Sequence, residues 1–101
     1  MFNKGRYLTR GINEEVDIRI QLAVWTLIDI LNNDTDIEVD YLQIFKVRKD
    51  GNFVRIQHEQ ECPKYKSIHM IDADDIQIDG QIKIYVIDSG EYATMLFPNE
   101  Y

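Results

Sequence analysis

The sequence predicts an α+β domain: one amphipathic helix packed on an antiparallel sheet of four to five strands, built from two hairpins plus an N-terminal strand. Three observations carry that expectation. Val16–Leu31, VDIRIQLAVWTLIDIL, is the one long run with apolar residues at helical spacing. Tyr41–Gln60 and Gln81–Phe97 alternate at period two about the turn pairs Asp50-Gly51 and Ser89-Gly90. No repeat, linker or low-complexity tract divides the 101 residues, so a single domain is expected.

Arg6–Ile12 reads as a short strand, with Leu8 and Ile12 on one side, Tyr7 and Thr9 on the other, and Gly11 weakening its end. In the helix, Val16, Ile20, Ala23, Val24, Leu27, Ile28, Ile30 and Leu31 form the apolar side. Asn13 can cap its start, a start nearer Asp17 is equally compatible, and Glu14, Glu15 and Asp17 suit the positive end of the helix dipole. Asn32 and Asn33 can end it in a left-handed cap.

Ile18, Leu22 and Trp25 make a second apolar stripe roughly opposite the first. A helix roofing one sheet needs one stripe, so these three pack under the N-terminal arm or a loop, or they meet a partner. Internal packing is the commoner outcome for such residues. Trp25 is the strongest interface candidate, because large aromatics anchor binding surfaces.

A two-residue turn at Asp50-Gly51 pairs Val47 with Val54, Phe45 with Ile56 and Gln43 with His58 on the covered face. The outward face then sets Lys46 opposite Arg55, Arg48 opposite Phe53, and Leu42 opposite Glu59. Cys62-Pro63 ends this hairpin, and Lys64–Met70 is ambiguous, at most a short extended edge piece. Asp72–Gly80 carries too many carboxylates to be buried and reads as a loop or a turn of helix. In the second hairpin, Ile82, Ile84, Val86, Ala93, Met95 and Phe97 share one face. Tyr85, Ile87, Tyr92 and Leu96 share the other with Lys83 and Thr94, and Pro98 stops the strand.

Composition bounds the function. Hydrophobic content of 45% and aromatic content of 11% argue for a packed core. The single cysteine, Cys62, excludes an intrachain disulfide and suits a reducing compartment. MFNKGRYLTR carries charges where a signal peptide needs an apolar run, and the apolar run between Arg19 and Asp29 is too short to span a bilayer. The expected location is therefore the cytoplasm, away from membranes. A net charge of −7 repels phosphate backbones, so direct nucleic-acid binding is not expected.

No chemical signature rises above background. His58, Cys62 and His69 lack the paired short spacing of a zinc site. Asp72–Asp79 and Asp34–Asp40 fail the calcium-loop pattern, with Ile76 and Gln77, or Glu38 and Val39, at the fifth and sixth positions. Ser89 lies in D-S-G, outside a nucleophile elbow, and the five glycines are dispersed rather than gathered into a phosphate loop. No catalytic residue and no cofactor is assigned, and enzyme activity is not expected. The sharpest remaining feature is a basic cluster, Lys46, Arg48, Lys49 and Arg55 with Phe53 among them. It is a candidate docking face for an anionic partner, although an ordinary solvated sheet face is the commoner meaning of such a cluster.

RYLTRGINEE, the helix segment LAVWTLIDIL, the strand VDYLQIF and the closing DSGEYATML together resemble a small uncharacterised protein family of Gram-positive bacteria, the domain of unknown function nine-sixty. The likeness runs from Arg6 to Tyr101 and implies a stand-alone cytoplasmic protein with no assigned activity. The expectation for function is a non-enzymatic protein-interaction or regulatory module, acting through the Trp25 stripe or an open sheet edge, with a homodimer among its partners. The alternative is an acidic nucleic-acid mimic inhibiting a nuclease or another DNA-binding enzyme. It requires Glu14, Glu15, Asp34, Asp36, Asp72, Asp74 and Asp75 to form one surface.

Overall fold

A short helix precedes the expected one, on residues the sequence assigns to the end of the N-terminal strand and the helix start. In the computed structural model, which describes residues 1–101, α1 (Arg10–Glu15) and α2 (Ile18–Asn32) are separate helices with Val16 extended between them. Each has its own cap. The Thr9 hydroxyl accepts from the Ile12 amide at 3.2 Å, and Asp17 Oδ1 accepts from the Arg19 amide at 2.9 Å. Asn13, an expected cap, therefore lies inside α1, and the start near Asp17 is the one adopted. The N-terminal strand β1 is only Gly5–Leu8, and Ile12 is a buried helical residue. The buried Gln21 side chain closes the break, donating to the carbonyls of Ile12 and Val16 at 3.3 and 2.8 Å. Asn33 ends α2 with φ −88° in the right-handed region, not the left-handed cap expected. No helix is long and apolar enough to cross a membrane.

Beyond β1, the strands are β2 (Leu42–Asp50), β3 (Phe53–Gln60), β4 (Tyr65–Asp72), β5 (Gln81–Asp88) and β6 (Tyr92–Leu96). They form one six-stranded sheet in the order β1-β6-β5-β2-β3-β4. The expectation of four to five antiparallel strands is thus corrected: β1 pairs parallel with β6, and every other pair is antiparallel. Those pairings make β1 and β2 point the same way, and α1 and α2 supply the long crossover that parallel strands need. A short 3₁₀ turn, Pro98–Glu100, follows β6.

The first hairpin differs from its predicted register by two residues. Val47 pairs with Ile56 and Phe45 with His58, because the turn is Gly51-Asn52, with Gly51 at φ +60°. A shift of two preserves every face while changing every partner. Arg48 consequently stands opposite Arg55, and Lys46 opposite Gln57.

The core lies between α2 and one face of the sheet. Ile20, Val24, Leu27 and Ile28 meet Phe45, Val47, Val54, Ile56, Ile84, Val86, Ala93 and Met95. Phe2 joins them, fully buried, with its amide donating to Asp88 Oδ2 at 2.6 Å. Ile30, placed on the apolar side by its spacing, is instead 53% exposed.

Candidate functional site

Helices cover one face of the sheet only. The alternation of the strands sends Lys46, Arg48, Arg55, Lys66 and Lys83 to the other face, with the carboxylates Asp50, Glu59 and Asp72 among them. Lys46 stands opposite Lys83 on β5 as well as Gln57 on β3, and Lys66 stands opposite Glu59. One ion pair forms here, Lys46 Nζ to Glu59 Oε1 at 2.9 Å, and its hydrogen bond holds the Glu59 carboxyl below the usual range. Arg48, Arg55, Lys66, Lys83 and the neighbouring Lys64 have no carboxylate within 4.0 Å. A shallow trough of about 620 Å³ runs between Ile44, Glu59, Tyr65, Lys64, Lys66 and Lys83.

The cations outside this face are all engaged. Arg6 pairs with Asp29, Arg10 with Glu14, and Arg19 with both Asp17 and Asp75. Lys4 donates to the Gly90 carbonyl at 3.0 Å. Arg19's bonds hold the carboxyls of Asp17 and Asp75 below their ordinary value.

Of the predicted basic cluster, Lys46, Arg48, Phe53 and Arg55 do share the uncovered face. Lys49 does not. Alternation turns it to the covered side, where its ammonium donates to the carbonyls of Ala73, Asp74 and Ile76 at 2.7, 2.9 and 2.7 Å. It clamps the segment between β4 and β5. Lys64 and Lys66 come from the turn before β4 and from β4 itself, and Lys83 comes from β5. Strand order brings Lys83 opposite Lys46, which no local pattern discloses.

The helical stripe is divided too. Ile18 and Leu22 are 60% and 59% exposed. Trp25 is half-buried, with the Arg6 guanidinium 4.9 Å above its ring and paired onward to Asp29. Trp25 is thus partly covered by Arg6, whereas Ile18 and Leu22 stand exposed.

His58, Cys62 and His69 are not gathered into a ligand set. His58 is 1% exposed, stacked on Phe45 at 4.3 Å, and its Nε2 bonds Gln43 Oε1 at 2.7 Å. Gln43 Nε2 donates to Gln60 Oε1 at 2.8 Å. Gln60 in turn donates to the carbonyls of Glu38 and Pro63 and accepts from the Asp40 amide. This buried chain of amides fixes the approach to β2. Burial, and after it the nearby His69, pushes His58 down to about 4. The acidic residues fall into two groups: Asp75 is tied by Arg19 to the start of α2, whereas Asp34 and Asp36 follow its far end. A helix of 15 residues keeps those groups about 22 Å apart.

A family model for staphylococcal proteins of unknown function, DUF960, matches residues 5–100. The chain belongs to the DUF960 family. Among curated proteins, none matches. A solved structure, the crystal structure of a protein of unknown function from Enterococcus faecalis, superposes with a TM-score of 0.81 at 20% identity. The match covers 98% of this chain and 92% of that one. At that identity it speaks to the fold alone: the architecture of this DUF960 member, an open mixed sheet roofed on one side, is shared with the enterococcal protein.

Proposed function

We propose that this protein is a non-enzymatic docking module whose uncovered sheet face receives an acidic segment of a partner protein. The observation that carries the reading is the distribution of charge. On a chain of net charge −7, five cations without ion-pair partners gather on or beside one face. Isolated cations at a surface are ordinary; their concentration on the one face that no element covers is not, and it sets up complementarity to carboxylates. Phe53, exposed, and the half-buried Tyr85 stand among them and offer apolar contact.

A protein partner suits this face better than a nucleic acid. Asp50, Glu59 and Asp72 interrupt the basic residues, and a continuous row of phosphates would meet them as well as the net negative charge of the whole. A folded partner can place carboxylates only where the cations stand. The test compares two probes on the purified chain by fluorescence anisotropy: a labelled glutamate-rich peptide and a single-stranded oligonucleotide of equal charge. The peptide is expected to bind, with affinity falling as salt rises, and the Arg48→Glu/Arg55→Glu variant to lose it. Preference for the oligonucleotide, or no binding to either probe, overturns the reading.

A further inference from the structure

The last strand of the sheet is open along its whole outer side. β4 is eight residues long, and its backbone bonds to β3 and to no other element. The opposite edge, β1, has only four residues. Natural proteins blunt long edges with prolines, bulges, inward-pointing charges or charged side chains along the edge. β4 has no proline, bulge or inward-pointing charge, and its two charged residues, Lys66 and Asp72, are of opposite sign. Its covered-side residues are Tyr65, Ser67, His69 and Ile71, with no Asp, Glu, Lys or Arg among them, and no proline or glycine lies within it. On its uncovered side, Ile68 and Met70 are 50% and 47% exposed, flanked by Lys66 and Asp72.

We infer that β4 is a self-pairing edge: two copies of this chain join antiparallel along it, about a two-fold axis beside His69. The register follows from the side chains. With His69 opposite His69 of the second copy, Lys66 faces Asp72 and Ile68 faces Met70, and the symmetry repeats each pair. All four uncovered-face residues thus find a partner of matching character. Moving the axis to Ile68 sets Lys66 against Met70, and moving it to Met70 sets Ile68 against Asp72. Antiparallel joining of the two outer edges keeps the covered faces on the same side, so registers that would set a covered residue opposite an uncovered one are closed. The matched register leaves both sets of helices on one side and joins the two sheets into one continuous layer of a size known for open sheets. The edge and the basic face share Lys66 and Asp72, but the edge is read by association of the chain and the face by peptide binding at Arg48 and Arg55, so failure of either leaves the other standing.

Sedimentation equilibrium of the full chain, with circular dichroism to confirm folding, tests the pairing. The wild type is expected to show a concentration-dependent dimer. Lys66→Asp and Asp72→Lys, each converting two attractive contacts into repulsive ones, are expected to weaken it about tenfold. The double variant K66D/D72K is expected to restore it, and Met70→Lys to weaken it independently. A monomer at every concentration overturns the inference. So does a dimer that tolerates these changes but dissociates with Leu22→Asp, or a folded double variant that fails to recover.

Discussion

Arg48 and Arg55 stand directly opposite each other on neighbouring strands, and neither has a carboxylate within ion-pair reach. Like charges so placed oppose sheet formation by about 0.2–1 kcal/mol. The pair costs the fold stability and returns none through internal contacts, which is the pattern of a surface maintained for something outside the chain. Arg55→Thr removes the repulsion and supplies a good strand former. It is expected to raise the melting temperature by a few degrees, given about 4–8 °C per kcal/mol in a domain of this size. The same variant is expected to weaken binding of the glutamate-rich peptide. Scanning calorimetry and anisotropy on one preparation read both effects.

His58 makes the fold sensitive to mild acid. The unfolded chain takes up a proton there near pH 6.5, whereas burial holds the folded side chain at about 4. Between those values the unfolded state binds more protons, so stability is full above about pH 6.5 and falls as the pH drops, the loss being complete near 4. The gap between the two values corresponds to about 3 kcal/mol. The carboxyls of Asp17, Asp75 and Glu59, held low by Arg19 and Lys46, act further down. Their contributions are present above the ordinary carboxylate range and are lost only as the pH falls through their lowered folded values. Urea midpoints across pH should therefore decline from about 6.5 in the wild type. In His58→Gln, whose amide can still donate to Gln43, the decline should start below about 4.5.

Much of this layout was legible, and the failures share a cause. Faces were readable because period-two alternation in Gln43–Val47, Val54–His58 and Ile82–Val86 records which side meets the core. Partners were not, since Val47 fits equally well against Val54 or Ile56 and only the turn geometry at Gly51 decides. The site suffered most. Lys49 is one residue from Arg48, yet one residue is half a strand period, and it leaves the face altogether. Lys66 arrives through the β3–β4 hairpin and Lys83 through the β4–β5 segment, which carries the chain back past β3 to the free side of β2. Thr9 and Asp17 did carry a local signal, a short polar acceptor before each helix, and Thr9 marks where the expected strand gives way to α1.

Gln60 is the structural hub most exposed to damage by substitution. Its amide makes four hydrogen bonds, to Gln43, the Asp40 amide, and the carbonyls of Glu38 and Pro63. The residue itself is buried, so truncation strands several polar groups at once, each costing about 1–3 kcal/mol where water cannot reach. Water can enter from the Asp40 side, which is only half-buried, and that limits the total. Gln60→Leu is expected to lose about 2–4 kcal/mol in urea denaturation and to speed amide exchange of Asp40. Exchange in β6, remote from the network, should change only with global stability.

Lys49 separates a structural cation from a docking one. Its ammonium bonds three carbonyls in the segment that brings Ala73 and Ile76 into the core. Hydrogen bonds from a charged donor contribute about 1.5–3 kcal/mol, but these acceptors sit near water and can be rehydrated in part. Lys49→Met keeps the apolar stem and deletes the charge. It is expected to lower stability by about 1–2 kcal/mol and to release protection of the Ile76 amide in hydrogen exchange. Because the side chain lies on the covered side, peptide binding at the uncovered face should persist once the variant is folded. Arg48→Glu should do the reverse, leaving the Ile76 amide protected while the peptide dissociates. If Lys49→Met and Arg48→Glu weaken the peptide equally, binding follows overall charge and the uncovered face has no special part in it.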